Sequence, residues 1–158
     1  MDWLWLIPVA LLAGGVLVGV AWRPLRHFGR EVQVERAREL FRLQRERIEA
    51  QFLTAAQATG KPRGLRWKEC QFETALELAR DRQTGQLVGL VPVTIQFEAI
   101  EGSDMEGHDA VANLRAASAV FFFERGQWRS AGKAVFNMGP DEALRHFKNQ
   151  YERITAGP

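Results

Sequence analysis

The feature that most constrains this chain is an uncharged, apolar segment of 20 residues at positions 3–22. A helix of that length reaches roughly 30 Å, which matches the hydrocarbon core of a bilayer. A cleaved signal peptide would need small residues after this run, whereas Arg23 and Pro24 follow it. We therefore predict an uncleaved transmembrane anchor over residues 1–22, with the remainder of the chain tethered to the membrane.

Charged and aromatic residues beside the segment predict its orientation. Cationic side chains follow the segment and none precedes it, so the positive-inside rule places the C-terminal domain in the cytoplasm. Tryptophans near both ends suit the membrane interface, and arginines after the segment suit anionic lipid. The residues assigned to the anchor are Trp3, Trp5, Trp22, Arg23, Arg26 and Arg30. We expect a single-pass protein of the inner (plasma) membrane, with the lipid bilayer as a partner.

Gly15 and Gly19 form a G-x-x-x-G pair inside this segment. Small residues at this spacing let two helix backbones approach closely, which would make the pair a dimer seam and the protein a homo-oligomer. Membrane helices are also rich in glycine for reasons unrelated to dimerisation. Both interpretations stay open.

Residues 23–59 are predicted as a basic juxtamembrane stretch followed by a long amphipathic helix. The apolar residues with helical spacing are Val34, Ala37, Phe41, Ile48, Phe52 and Ala55. Read as heptads, one seam position is apolar, but the other contains two glutamines, Gln44 and Gln51, which suits a coiled coil poorly. The pattern favours a helix packed along a sheet, or a loose stalk.

Residues 60–68 are predicted as a linker that carries a small basic patch around Trp67. Its cations are Lys61, Arg63, Arg66 and Lys68. Such a patch could contact a phosphate backbone while the indole stacks on a base. A linker rich in proline and glycine that leads into a strand explains it equally well, and the net charge of the chain is only +2. We do not expect nucleic acid as a partner.

Residues 69–158 are predicted to form a small α+β domain. Period-two alternation indicates one strand from Cys70 to Ala79 and another over residues 87–98, joined by a turn at 81–86. Pro92 cannot donate to a ladder, so the second strand is expected at an edge or a bulge.

The second half of the domain shows two further strands and a helix. The strands cover about residues 115–124 and 127–136, joined by a two-residue turn. Three consecutive phenylalanines at 121–123 indicate that the first strand is central or covered on both sides. A last helix begins near Pro140 and is expected to bury Leu144, Phe147, Tyr151 and Ile154. The predicted fold is a four-stranded antiparallel sheet of two hairpins, with a long helix before it and a helix after it.

The loop between the hairpins contains the best candidates for metal ligands. They are Glu101, Asp104, Glu106, His108 and Asp109. Oxygen-rich loops can bind Ca²⁺ or Mg²⁺, and a histidine among acids can suit Zn²⁺. Counting from Asp104, the sixth position is Asp109 rather than glycine, so the spacing fails the EF-hand pattern. This spacing favours a solvated loop, and we expect no metal site and no cofactor.

Nucleophilic catalysis has little support in the sequence. The single cysteine, Cys70, falls on the apolar face of its strand, where a thiol packs as a small hydrophobic group.

A curved sheet against a helix could also form a cone that binds an apolar ligand. The residues expected to line such a cone, or simply to fill a core, are Phe97, Phe121, Phe123, Trp128 and Phe136.

Two blocks of the domain resemble known sequences. LVPVTIQFEAIEG at residues 90–102 and WRSAGKAVFNMGP at residues 128–140 resemble uncharacterised bacterial proteins with a single-pass membrane anchor. The resemblance covers the domain after the linker and implies no activity, cofactor or site. The order of one helix followed by an antiparallel sheet is similar to cystatin-like and NTF2-like folds.

These observations predict a non-enzymatic role. We expect an interaction or scaffold protein that presents a small cytoplasmic α+β domain at the inner membrane, where it binds a protein partner or itself. The alternative is a membrane-tethered, cone-shaped domain that binds a small ligand and could act on it.

Overall fold

The structure is a computed structural model that describes residues 31–59 and 64–155. The chain divides into two compact units, Met1–Glu39 and Leu40–Pro158. The predicted anchor, its arginines and its glycine pair lie outside the described residues. Within the part that is described, no helix is long and apolar enough to cross a membrane.

The first unit is helical over its described residues, 31–39. Val34 and Ala37 are buried, as the predicted apolar stripe requires, and Glu35 pairs with Arg38 at 3.9 Å between Oε1 and Nε. Such an exposed ion pair contributes little to stability.

The described residues form three helices and six strands. The helices are α1 (residues 31–43), α2 (Arg45–Thr59) and α3 (Pro140–His146), and a short 3₁₀ helix covers Asp109–Ala112. The strands are β1 (Leu65–Phe72), β2 (Glu77–Asp81), β3 (Leu87–Ala99), β4 (Arg115–Glu124), β5 (Gln127–Phe136) and β6 (Tyr151–Arg153). The α+β prediction with an antiparallel sheet is confirmed. The prediction of four strands is wrong, because the sheet has six.

The long strand β3 organises the sheet. Along one side it pairs with β4, which in turn pairs with β5. Along the other side β1 pairs with its second half and β2 with its first half, and β6 lies beyond β2. The phenylalanine-rich strand β4 is therefore central, as its sequence indicates.

The predicted first strand is two strands separated by a break. β1 ends at Phe72 and β2 begins at Glu77, so the ladder beside β3 is interrupted between them. Pro92 of β3 lies opposite this interruption, and its carbonyl accepts a hydrogen bond from the Glu73 N–H at 3.0 Å. In an antiparallel strand the nitrogen and the carbonyl of one residue point to the same side. The nitrogen of Pro92 therefore points toward the interruption between β1 and β2, where no strand carbonyl needs an N–H donor. The prediction of an edge position for Pro92 is wrong for this reason.

Arg45 of α2 stabilises the same break. Its guanidinium donates to the carbonyl of Thr74 at 3.1 Å and to the carbonyl of Glu73. It also pairs with Glu49 one turn later, at 2.7 Å between Nε and Oε1. The carbonyls of Glu73 and Thr74 lie in the break between the paired strands. The bonds from Arg45 give these two carbonyls hydrogen-bond partners that the sheet does not supply.

One face of the sheet is covered by α2. Ile48, Phe52 and Ala56 of this helix are buried, and the Phe52 ring contacts Trp67, Phe72 and Phe121 with centroids 5.5–6.0 Å apart. Of the two arrangements left open by the sequence, α2 takes the one packed along a sheet. Gln51 and Ala58 are exposed, which agrees with the poor coiled-coil seam.

Gly132 sets how closely α2 approaches β5. A Cβ on this residue would lie 2.2 Å from the backbone nitrogen of Ala56, and its φ of +68° lies in the left-handed region. The pairing of β5 with β4 shifts its register between Ala119 and Phe121, and Gly132 lies in the part of β5 opposite this shift. Only glycine lets the helix backbone rest directly on the strand here.

We expect Gly132→Ala to destabilise the fold by about 2–4 kcal/mol, because overpacking against the helix backbone adds to left-handed strain. Gly126→Ala provides the control, since Gly126 has a φ of +78° but no atom within 4 Å of an added Cβ. It should cost only about 1 kcal/mol. Urea unfolding of the full-length chain in detergent measures both values, and equal losses would contradict the close contact.

The opposite face of the sheet packs partly against α3. The cluster buried there comprises Ala79, Val88, Leu90, Val120, Ala143 and Leu144. Ser118 is fully buried beside it and donates to the carbonyl of Met138 at 2.7 Å, which fixes the segment that enters α3. The helix begins after Gly139, with Pro140 in its first turn as predicted.

The predicted C-terminal helix is too long. It ends at His146, and Tyr151 lies in β6 instead of on a buried helical stripe. The chain turns back so that Arg82 N–H donates to the Gln150 carbonyl at 2.8 Å and Ile154 N–H to the Leu78 carbonyl at 2.9 Å. This return pairs the outer edge of β2, whose backbone groups would otherwise lack protein partners.

Asp81 closes the turn between β2 and β3. Its carboxylate accepts hydrogen bonds from the N–H groups of Thr84 at 2.9 Å and Gln83 at 2.8 Å. The backbone bond from Thr84 is the largest cause that lowers the pKa of this carboxyl below 3.8, and the bond from Gln83 acts in the same direction. The folded state therefore holds this proton less tightly than the unfolded chain does.

This difference predicts a pH-dependent contribution to stability. It is fully present above the unfolded pKa of 3.8 and is lost as pH falls through the lower folded pKa. The stability advantage of the native chain over Asp81→Asn should thus shrink as pH drops below 3.8. Asp104→Asn, at an exposed carboxylate, is the matched control. Thermal unfolding at several pH values measures the effect, and parallel curves for both variants would contradict it.

Candidate functional site

An open concave surface lies between α3 and β6. This groove has a volume of about 440 Å³. Its lining residues are Arg82, Leu144, Arg145, Lys148, Tyr151, Glu152 and Arg153. We refer to it below as the cationic groove, because four of these seven residues are arginine or lysine.

The end of α3 and the turn after it build one wall of the groove. Phe147 N–H donates to the Ala143 carbonyl at 2.9 Å, and the N–H groups of Gln150 and Tyr151 both donate to the Phe147 carbonyl. These bonds reverse the chain within a few residues. Arg145 and Lys148 are thereby placed beside β6.

Two of the four cations are engaged in ion pairs. Arg82 lies 3.6 Å from Glu152 (Nη1 to Oε2), and its Nε donates to the Lys148 carbonyl at 3.1 Å. Arg153 pairs with Asp141 and, at 3.6 Å between Nη2 and Oε2, with Glu77. All of these pairs are largely exposed, so they orient the side chains more than they stabilise the fold.

The other two cations are available to a ligand. Arg145 and Lys148 are without an ion pair among the described residues, and neither side chain makes a hydrogen bond there. Both side chains are exposed. The groove therefore presents two uncompensated positive charges beside one carboxylate, Glu152, that is already paired.

The floor of the groove is apolar with one hydroxyl. Leu144 is only 5 % exposed, and the ring of Tyr151 is partly buried next to it. Burial first, and then the Asp81 carboxylate, raise the pKa of the Tyr151 phenol. The hydroxyl is neutral at physiological pH, and it accepts a hydrogen bond from Gln150 Nε2 at 3.0 Å. The surface therefore combines an apolar base with a cationic rim.

The sequence alone does not reveal this groove. Arg145, Lys148 and Arg153 fall within one stretch, but they appear there as the polar face of a continuing helix. Only the reversal after α3 faces them toward one another, and only the β2–β6 pairing adds Arg82. The residues of β6 carry little strand signal, because Tyr151 and Ile154 are three positions apart, which is helical spacing.

The predicted metal-ligand loop is solvated in the structure. The side chains of Asp104, Glu106, His108 and Asp109 are all exposed, and Glu106 is used locally, where its carboxylate accepts the Gly102 N–H at 2.8 Å. Within residues 31–59 and 64–155, no group of three or more histidine, cysteine or acidic side chains could hold a metal ion.

The predicted basic patch does not form around an accessible ring. Trp67 is 5 % exposed and packs between Phe52 and Phe97 on the helix-covered face of the sheet. Arg66 lies on the opposite face and pairs with Glu98 at 2.6 Å between Nε and Oε1. The indole is therefore not free to stack on a base.

The five aromatic residues of the predicted cone share the face that α2 covers. Phe97, Phe121, Phe123 and Trp128 are buried, whereas Phe136 is 40 % exposed at the end of β5. Phe41 also contributes, with ring contacts of 5.3 Å to Phe121 and 5.1 Å to Trp128. Side chains from helix and sheet thus occupy the space between them.

Cys70 lies on the same face of the sheet, opposite Ile95 of β3. Desolvation by burial, followed by the nearby Glu69 carboxylate, raises the pKa of its thiol to about 11. At neutral pH only about one thiol in ten thousand is then ionised, so the nucleophilic form is scarce.

This pKa predicts slow alkylation. The folded chain should react with iodoacetamide at neutral pH about 100-fold more slowly than the urea-unfolded chain, because the thiolate is the reactive form. Mass spectrometry of timed samples measures both rates, and the Cys70→Ser variant gives the background. Similar rates in the two states would contradict the raised pKa of the half-buried Cys70 thiol.

Comparison of the chain with protein-family models, with curated proteins and with solved structures gives no match.

Proposed function

We propose that this protein is a membrane-anchored, non-enzymatic interaction protein that presents its α+β domain at the cytoplasmic face of the inner membrane. The observation that carries the proposal is the cationic groove, with Arg145 and Lys148 unpaired above the apolar floor of Leu144 and Tyr151. Surfaces that combine an apolar base with a charged rim are typical of protein recognition sites.

The chemistry of the groove suits binding. The guanidinium of Arg145 and the amine of Lys148 donate hydrogen bonds, and the raised pKa of the Tyr151 phenol keeps its hydroxyl neutral. Such groups hold charged or polar partners in place. The ion pairs of Arg82 and Arg153 support this role, because side chains that are already oriented lose less conformational entropy on binding.

The membrane part of the proposal rests on the sequence. The uncharged segment at positions 3–22 is long enough to cross a bilayer, and the cations after it favour a cytoplasmic domain. Tethering would confine the groove to a thin layer beside the membrane. A partner held in the same layer would meet it at a raised effective concentration, which makes a small surface sufficient.

The alternative proposal is a small apolar ligand between α2 and the sheet. The exposure of Phe136, whose ring centroid lies 6.0 Å from that of Trp67, favours this as an opening to the aromatic layer. The ligand would have to displace Phe52 from its contacts with Phe72 and Phe121. Displacing Phe52 would cost the free energy of its packing, whereas binding at the cationic groove displaces no core side chain.

The groove proposal predicts that charge reversal removes a bound partner. Tagged full-length protein is extracted from membranes with mild detergent, and the co-purifying proteins are quantified for the native chain and for Arg145→Glu/Lys148→Glu. At least one protein should fall about tenfold or more in the double variant, because repulsion replaces attraction at the rim.

A matched control separates this effect from net charge. Arg129→Glu/Lys133→Glu makes the same change in charge on exposed residues of β5, away from the groove. It should retain the partner at the native level, and all three proteins should fractionate with membranes. Equal loss in both double variants, or no loss in either, would overturn the groove as the interaction surface.

A further inference from the structure

We propose that the cationic groove binds an acidic, extended segment of a partner protein, which adds as a strand beside β6. This inference rests on the proposed function and names the chemistry of the partner. It combines three independent observations, which are the open edge of β6, the two unpaired cations and the apolar floor.

The edge of β6 that faces away from β2 carries unpaired backbone groups. The hydrogen bonds between Arg82 and Gln150 and between Ile154 and Leu78 show which β6 residues face β2. By alternation, the backbone groups of Tyr151 and Arg153 face outward. The Tyr151 N–H is used by the Phe147 carbonyl. The Tyr151 carbonyl and the Arg153 N–H and carbonyl have no backbone partner among the described residues.

The other two edges of the sheet are less suited to a new strand. β1 is irregular between Trp67 and Glu69, which places Lys68 at a bulge. β5 is irregular opposite the stretch from Ala119 to Phe121. Bulges and edge lysines are devices that block further pairing. β6 is short but has a regular register with β2, and the groove lies along it.

The residues around this edge select an acidic segment. Arg145 and Lys148 are uncompensated, so carboxylates that approach them gain charge-assisted hydrogen bonds. Successive residues of an added strand point to opposite sides of the sheet, so only every second side chain faces the groove. Glutamates at those positions match the cationic rim, and their methylene groups would lie over Leu144 and Tyr151. A free phosphate or a lipid headgroup would use the cations alone. It would leave the strand edge and the apolar floor without partners.

The test uses the full-length protein in phosphatidylcholine nanodiscs and synthetic peptides of about six residues. The acidic probe alternates glutamate with valine and contains one phenylalanine. The basic probe has lysine in place of each glutamate. Nuclear magnetic resonance follows the amides of β6 during titration, and hydrogen exchange follows the Arg153 N–H.

We expect the acidic probe to bind saturably and to slow exchange of the Arg153 N–H. Arg145→Glu/Lys148→Glu should weaken this binding about tenfold or more and should bind the basic probe instead. Arg129→Glu/Lys133→Glu should bind the acidic probe as the native chain does. Arg145→Gln/Lys148→Gln, which carries no repulsive charge, should show an intermediate loss and provides a second variant if charge reversal disturbs folding.

Several outcomes would overturn the inference. If both groove variants bind the acidic probe as tightly as the native chain does, Arg145 and Lys148 take no part in recognition. Equal binding of a probe with N-methylated backbone amides, or unchanged exchange at Arg153, would exclude strand addition. Full competition by inorganic phosphate, or by vesicles that contain phosphatidylglycerol, would assign the groove to small anions or lipid.

The result is separable from that of the proposed function. If charge reversal abolishes co-purification of a partner but no acidic probe binds the native groove, the interaction role stands and the acidic strand is wrong. If the acidic probe binds but co-purification is unaffected by the groove variants, the groove recognises acidic strands and the proposed cellular interaction lies elsewhere.

Discussion

The contact between Phe52 and the sheet is the interaction on which the rest of this domain depends. One ring on α2 contacts Trp67 and Phe72 of β1 and Phe121 of β4, so it joins strands that are far apart in sequence. The burial of such a ring is worth several kcal/mol. It requires the helix to lie almost against the strands, and the absence of a side chain at Gly132 permits that approach.

The position of α2 in turn shapes the edge of the sheet where the groove forms. Arg45 can reach the carbonyls of Glu73 and Thr74 only because the helix lies beside the break between β1 and β2. The break lets β2 pair with the first half of β3 while Pro92 avoids a lost hydrogen bond. β2 then offers an outer edge, and the return of the chain as β6 covers it. The groove lies between this returning strand and α3.

The sequence predicted the features that depend on neighbouring residues and missed those that depend on pairing at a distance. Period-two alternation located most of β3, β4 and β5, and the apolar stripe through Ile48 and Phe52 identified the buried face of α2. The division of the first strand was not predictable from alternation, because Thr74 and Leu76 continue the pattern across the break. β6 was missed because its three residues gain their stability from β2, and local propensity continued the preceding helix through them.

The same reasoning explains why the cationic groove was not predicted from the sequence and why the predicted cone is not a candidate site. Aromatic residues with regular spacing are readily found, but regular spacing is what a packed core requires, and α2 fills the space above them. Cations such as Arg145 and Lys148 attract no notice in a sequence where charged residues make up 25 %. They form part of a candidate site only because the turn after α3 places them beside the edge of β6. A three-residue edge or two surface cations would each bind a partner weakly, since exposed charges are screened by water and salt. Recognition at this groove would therefore depend on both acting together, and the proposed membrane tether would add to it by raising the local concentration of the two partners.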